Sequence, residues 1–388
     1  MNSVTLIIND IDLYNVFLDS KIFNEVNIAS SLEEKAEYDY LIVSDRLCGT
    51  NELIQKVDTG GLKANKIIYL LSSSKSSQSG YTALTALLKS YSIDVFPPAL
   101  TESQILSRFC DSINLQERKT YNVIVLFGAD SKVGTTLTAL SIAENLAAQS
   151  EGNIAFLNLA GHVSFSYIDN IDGKGLDSIK SKVFNKILSQ DELREAMIQN
   201  KIFKNLFILP PGRSLIDFKY YQTEHIEYVI KMAANMFEVV IVDAGWYPNN
   251  ALYFGALNST PNRYMVTTQQ QASLANHCII KQQALDEYGV TSIKNPNDIK
   301  VDSPNNIMLI VNRFNEEWST NITKEYDMVF AISLPNIPMA FYRAESEKKS
   351  LRGLSRHYDM QLDKLTNLIA LQIEYKLTSK KKTRRFFA

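Results

Sequence analysis

Short apolar runs alternate with amphipathic stretches along the whole chain. Val4–Ile8, Tyr38–Val43, Lys66–Leu71 and Ile93–Phe96 are near-continuously apolar and bounded by polar residues, the pattern of strands buried on both faces. Around them, Asp12–Asp19, Thr50–Val57, Gly80–Tyr91 and Glu102–Ile113 read as helices. Strands alternating with helices at this spacing predict a parallel sheet covered on both sides. Residues 1–115 therefore form one small α/β domain, with a polar linker at 116–122. The alternation resumes on a larger scale over 123–377. Strands are expected there at Val123–Phe127, Ile154–Leu159, Leu206–Leu209, Val239–Val242, Arg263–Thr267, Ile307–Val311 and Met328–Ile332. Helices are expected at Thr135–Gln149, Glu192–Asn200, Glu224–Phe237 and Ser273–Tyr288, with Gly161–Asp191 and Thr291–Asn306 as long loops. The fold class is α/β, as two doubly wound domains, followed by a basic tail at 378–388.

Composition narrows the picture slightly. A length of 388 residues suits two or three domains, and a net charge of −2 argues against a general nucleic-acid binder. Three scattered cysteines, Cys48, Cys110 and Cys278, suit a reducing cytosol rather than a disulfide framework. The N-terminus lacks the basic region of a signal peptide, and no stretch is long and apolar enough to span a membrane. A cytoplasmic protein is expected.

The strongest chemical signal is the strand Val123–Phe127, a polar loop, and a helix opened by Val133-Gly134-Thr135-Thr136. Strand, loop and helix N-terminus together cradle phosphate, because main-chain N–H groups and the helix dipole both face the anion. The usual phosphate loop reads GxxxxGK[ST]. Here Ala129 stands at the first glycine and Thr135 at the lysine. A second signal is FEVVIVDAG, Phe237–Gly245, an apolar strand ending in Asp243. Strand carboxyl ends face the ligand crevice in such sheets, so Asp243 either holds Mg²⁺ or caps a loop. A third is IMLIVNR, Ile307–Arg313, followed by Ile332-Ser333-Leu334-Pro335-Asn336.

In this order, the motifs over Tyr121–Gly353 resemble the MinD/ParA superfamily of deviant Walker ATPases. Within it the chain is most similar to the TadZ/CpaE pilus-assembly proteins, on Thr135 and on a receiver-like N-terminal domain. The resemblance implies ATP and Mg²⁺ as cofactors. It implies that Lys132, Val133, Gly134, Thr135 and Thr136 surround the phosphates and that Thr136 and Asp243 hold Mg²⁺. It implies adenine contacts from Asn312, Pro335 and Asn336. Asp130 replaces the family's signature lysine, Ser131 and Lys132 its two glycines, and Asn158 and Ala160 the acidic pair after the second strand. Lys132 either swings onto a phosphate or stays solvated. Asp243 is the one candidate left for a catalytic role. Phosphoryl transfer rests on positioning and charge, and one lost cationic group costs roughly 10³–10⁵ in rate. Weak or absent hydrolysis follows.

Residues 1–115 resemble a response-regulator receiver. Asn9-Asp10 supplies half of the receiver's acidic pair. Ser44 falls at the nucleophile position with Asp45 one residue later, and Phe96-Pro97 replaces the lysine–proline step. A pseudo-receiver serving docking or dimerisation is expected.

Asp359–Leu377 reads as a final helix with a stripe at Leu362, Leu365, Ile369 and Ile373, which either packs on the sheet or faces a membrane. Beyond it, five basic residues within Lys380–Arg385 precede Phe386-Phe387, a composition suited to an anionic membrane surface or to a solvated tail. His162, His225, His277 and His357 show no ligand spacing, and Asp169, Asp172 and Asp177 read as a solvated loop. Phe218–Tyr221 and Trp246-Tyr247-Pro248 lie beside the expected crevice as partner surface or core. The resulting expectation is a dimeric localisation factor for a pilus or secretion apparatus, at the inner membrane or cell pole. It would bind ATP without appreciable turnover and have no specific nucleic-acid partner. The alternative is an active ParA-type ATPase of DNA or plasmid partition or conjugation, which needs the missing lysine and a basic surface.

Overall fold

Apolar alternation builds the two large sheets. The computed structural model describes residues 3–20, 22–33, 36–71, 78–98, 100–113, 122–160, 167, 173–212, 214, 217–248, 251–281, 292–293, 301–302, 307–318 and 328–378. The chain divides into two units, Met1–Lys119 with Thr291–Asn306, and Thr120–Val290 with Ile307–Ala388. The linker positions 116–121, His162, Asp169, Asp172 and residues 379–388 of the basic tail lie outside the described residues.

The first unit carries β1 (Ser3–Ile7), α1 (Ile11–Asp19), β2 (Glu25–Ala29), β3 (Ala36–Ser44), α2 (Thr50–Asp58), β4 (Leu62–Leu70), α3 (Gln78–Lys89), β5 (Ile93–Phe96) and α4 (Glu102–Ser112). Its sheet has the order β2-β1-β3-β4-β5 with every pairing parallel. That is the flavodoxin-like winding. Phe17, Phe23, Tyr40 and Phe109 stack beneath it with ring centroids 5.6–6.3 Å apart. The sequence pattern misses β2, an edge strand with no fully buried residue, where an apolar run is not required.

The second unit carries β6 (Val123–Gly128), α5 (Thr135–Ala148), β7 (Ile154–Asn158), α6 (Leu176–Phe184), α7 (Gln190–Ala196), β8 (Ile198–Gln199), β9 (Leu206–Leu209), α8 (Thr223–Met236), β10 (Val239–Asp243), α9 (Ala251–Asn258), β11 (Arg263–Thr267) and α10 (Gln271–Ile280). The segment Thr291–Asn306, which belongs to the first unit, holds a small antiparallel pair, β12 (Ser292–Ile293) and β13 (Val301–Asp302); the second unit then resumes with β14 (Met308–Phe314) and β15 (Val329–Pro335). Helices Pro338–Ser346 and Arg356–Gln372 close the described chain. The sheet order is β15-β14-β11-β6-β10-β7-β9-β8, parallel except for β8 against β9. The antiparallel edge makes it mixed rather than wholly parallel.

Several expected boundaries move. Asn200 leaves the helix assigned to it, because α7 stops at Ala196 and Ile198–Gln199 pairs as an edge strand. The loop expected over Gly161–Asp191 contains α6, whose first turn holds Asp177, so that residue belongs to a helix and not to a solvated ligand loop. The final helix runs Arg356–Gln372, and Leu362, Leu365 and Ile369 are fully buried against the face of the sheet that also packs α5. The stripe is core, and the membrane-facing reading of this helix is withdrawn. Burial on both sides explains why α5 is apolar nearly all round.

Candidate functional site

Side-chain alternation sets one row of polar residues. On β10, Val239 and Ile241 face α5 while Val240 and Val242 face the other layer. The next residue on the α5 face is Asp243. The same parity puts Asn158 at the end of β7, Gly128 at the end of β6 and Asn312 on β14. Asp243 and Asn158 are partners in register on neighbouring strands. Three apolar strands thus end in polar side chains on one face, beneath the N-terminus of α5.

The loop Ala129–Gly134 closes over this row. Lys132 and Gly134 both take left-handed backbone conformations, with φ of 58° and 95°. A Cβ on Gly134 would stand 2.3 Å from Asn312 Nδ2, so glycine is required twice over, for its conformation and for its space. Gly128 is needed too, since a Cβ there would lie 2.7 Å from Thr135 Oγ1 and 3.1 Å from Trp246 Cβ. Asn312 donates from Nδ2 to the Val133 carbonyl at 2.8 Å. Asn276 of α10 donates to the Ala129 carbonyl at 3.0 Å and to Asp130 Oδ1 at 3.4 Å. Asp130 Oδ1 also accepts the Ser131 N–H at 2.6 Å. The loop is therefore held from two sides, while Ser131 and Lys132 remain exposed.

Asp243 is fully buried. Its Oδ1 accepts the Gly245 N–H at 3.0 Å, and Oδ2 has no hydrogen-bond partner. Burial pushes its pKa up to about 6, opposed in part by the adjacent Thr136 hydroxyl and by the Gly245 N–H. Thr136 lies in the first turn of α5, so hydroxyl and carboxylate meet at the helix mouth. Asn158 Nδ2 and Asn312 Oδ1 are likewise buried without partners. Orphaned buried polar atoms are rare in folded proteins, and here three of them collect at one sheet edge. The donor set fits a Mg²⁺ ion, which takes few protein oxygens and keeps waters and phosphate oxygens. Thr136 and Asp243 are the residues that would hold it. Among the described residues no group of three or more His, Cys, Asp or Glu is placed to hold a metal by itself.

Pro335 and Asn336 lie elsewhere along the same edge. They line a cleft of roughly 420 Å³ with Phe314, Asn315, Ser333 and His357. Asn336 N–H donates to the Phe314 carbonyl at 3.0 Å, two residues beyond Asn312 on β14. Trp246 and Tyr247 pack together at 5.2 Å after β10, with Tyr247 half-exposed, while Phe218 and Tyr221 are core. His225 caps α8 by accepting the Gln222 N–H at 3.1 Å.

In the first unit, Asp10 is the N-cap of α1, its Oδ1 accepting the Leu13 N–H at 3.0 Å. Ser44 ends β3 and accepts the Arg46 N–H on its Oγ at 3.3 Å. The Asp45 N–H donates to the Leu70 carbonyl at 3.0 Å, placing that residue just past the strand. Asn276 and Gly128 are the site residues that sequence reasoning did not single out. Gly128 had a signal, a glycine closing an apolar strand; Asn276 had none.

A ParA family ATPase from Chlorobium tepidum superposes with a TM-score of 0.50 at 16% identity, covering 63% of this chain and 98% of its own. The large unit has the ParA/MinD fold. Two further ParA/MinD-fold structures are similar at TM-scores of 0.47. One is MinD from Pyrococcus horikoshii, complexed with Mg-ADP, at 14% identity over 63% of this chain and 94% of its own. The other is a putative plasmid partition protein from Borrelia burgdorferi, bound to AMPPNP, at 13% identity over 64% and 98%. No family model matches the sequence, and no curated protein matches it. The share of the chain that the Chlorobium tepidum structure covers is about that of the large unit alone.

Proposed function

We propose that the large unit binds a Mg²⁺–nucleoside triphosphate, most simply ATP, and hydrolyses it slowly or not at all. One observation carries the reading. The loop before α5 has left-handed backbone at Lys132 and Gly134, a glycine that its space requires and a Thr136–Asp243 pair at the helix mouth, while Thr135 stands at the lysine position. Main-chain amides and the helix dipole, equivalent to roughly half a positive charge, suffice for binding. Cleavage needs charge placed on the transferring phosphoryl group, and the row beneath the loop offers the neutral Asn158 and Ala160 where the family resemblance calls for acids.

In this reading Lys132 through Thr136 surround the phosphates, and Asn312, Pro335 and Asn336 line the path toward the base. The bound nucleotide would stabilise a homodimer rather than drive a cycle. Together with a flavodoxin-like first unit whose receiver positions are incomplete, that favours a localisation factor or scaffold for a pilus or secretion apparatus. The basic tail would supply contact with an anionic membrane surface. Among the described residues no helix is long and apolar enough to cross a membrane.

Single-turnover kinetics with excess protein over labelled ATP test the catalytic half. The expected result is bound, unhydrolysed ATP over many minutes. Conversion of the bound ATP to ADP within seconds, as at the roughly 1–100 s⁻¹ typical of kinases, abolished by Asp243→Ala, would overturn it.

A further inference from the structure

Asn158 stands beside Asp243 in register, at the end of the neighbouring strand, and on the same face. Its side chain is fully buried. Its Oδ1 accepts the Ala160 N–H at 3.3 Å, which orients the amide and turns Nδ2 away from that turn. Nδ2 then meets no acceptor, and Asp243 Oδ2 meets no donor. A buried donor and a buried acceptor thus lie one strand apart, each unsatisfied. A ligand that completes both must present an acceptor to Asn158 and a donor to Asp243. A phosphate oxygen is the first, and a metal-bound water is the second.

We propose that Asn158 is a phosphate-binding donor: its Nδ2 hydrogen-bonds an oxygen of the phosphate chain of a Mg²⁺-bound nucleotide while Asp243 holds the metal's water. This rests on the nucleotide-binding reading above and assigns a role to a residue that reading leaves idle. The chemistry of the side chain decides the role. An ionised carboxylate at this place only accepts hydrogen bonds and is able to take a proton from attacking water. A carboxamide nitrogen has no basic lone pair and only donates. One change of side chain therefore converts a position suited to activating water into one suited to gripping phosphate. The neutral amide also spares the anion a second buried negative charge next to Asp243.

The test is titration of a fluorescent, non-hydrolysable ATP analogue with Mg²⁺ into full-length wild type, Asn158→Asp and Asn158→Ala, with thermal melts of each without ligand. The wild type should bind. N158D replaces a donor to a charged group by a like charge and should bind about 10- to 100-fold more weakly, the range expected for such hydrogen bonds. N158A should lose about fivefold or more, with the ligand-induced rise in melting temperature shrinking in the same order. Affinities of both variants within twofold of a binding-competent wild type would overturn the role of Asn158 and leave the nucleotide reading standing. If N158D does not fold, N158A decides alone by the same criterion. A wild type that fails to bind at millimolar nucleotide overturns both.

Discussion

The side-chain amide of Asn312 donates to the main-chain carbonyl of Val133 at 2.8 Å, tying the end of β14 to the last turn of the phosphate loop before α5. Because Gly134 follows Val133 with its Cα facing the same amide, the loop has one permitted shape. Asn312 is thus part of what holds the cradle open, whether or not it also reaches a base.

Gly134→Ala should act through that contact. The new methyl would overlap Asn312 Nδ2, and alanine at φ of 95° adds a backbone penalty of roughly 1–2 kcal/mol. Chemical denaturation should show a loss of about 2–3 kcal/mol, and nucleotide binding should vanish. Asn312→Ala should relieve the overlap, so the double variant should be less destabilised than the two single changes add up to.

Asp243 sets a pH dependence with a definite sign. Its folded pKa of about 6 lies above the ordinary 3.8, so the native state holds the proton more tightly than the unfolded chain. Stability from this group is full below pH 3.8 and is lost as pH rises through 6, by about 3 kcal/mol in all. Asp243→Asn removes the slope, so the variant should gain on the wild type between pH 4.5 and 7.5. Metal binding runs the other way, because Mg²⁺ needs the ionised carboxylate. Mg²⁺-dependent nucleotide affinity should rise from pH 5 to pH 7.5 in the wild type and stay flat in D243N.

The helix that opens at Thr135 is also anchored at its far end. Glu144 of α5 is buried, and its Oε2 accepts the Ser350 hydroxyl at 2.5 Å. Desolvation raises its pKa, with the hydrogen bond from Ser350 and the charge of Arg352 opposing. Arg352 in turn donates to Asn145 Oδ1 at 3.0 Å. Ser350→Ala leaves a buried carboxylate short of a donor and should cost about 1–3 kcal/mol, read by urea denaturation. Combined with Glu144→Leu it should cost less than Ser350→Ala and Glu144→Leu summed.

Leu365→Ala and Ile369→Ala test the final helix. Both side chains are fully buried against the sheet. Each truncation should lower stability by about 2–5 kcal/mol without changing adhesion to anionic liposomes. Removing residues 379–388 should do the reverse.

Sheet interiors were legible in the sequence because parallel strands buried on both faces must be apolar throughout, as Val123–Phe127 and Val239–Val242 are. The strand-end position of Asp243 was legible for the same reason, since an acid closing such a run has no core role to play, whereas Thr136 lies past the loop, in the first turn of α5. Edge strands escaped, since Glu25–Ala29 is mostly exposed and lacks the pattern. The helix Leu176–Phe184 escaped because it starts at Gly175 within a glycine- and aspartate-rich stretch that reads as loop. The stripe Leu362–Leu365–Ile369 was ambiguous for a physical reason: a core face and a membrane face need the same apolar spacing. Asn276 was illegible because its contact with Ala129 joins residues 147 positions apart.

Equilibrium dialysis of labelled ATP against the full-length protein, with and without Mg²⁺, tests the central claim most directly. Saturable, Mg²⁺-strengthened binding at one nucleotide per chain is expected, lost in Gly134→Ala, with the nucleotide recovered intact as triphosphate. No saturable binding at millimolar ATP, with the loop residues Ala129–Thr136 correctly folded by thermal melt and spectroscopy, contradicts it.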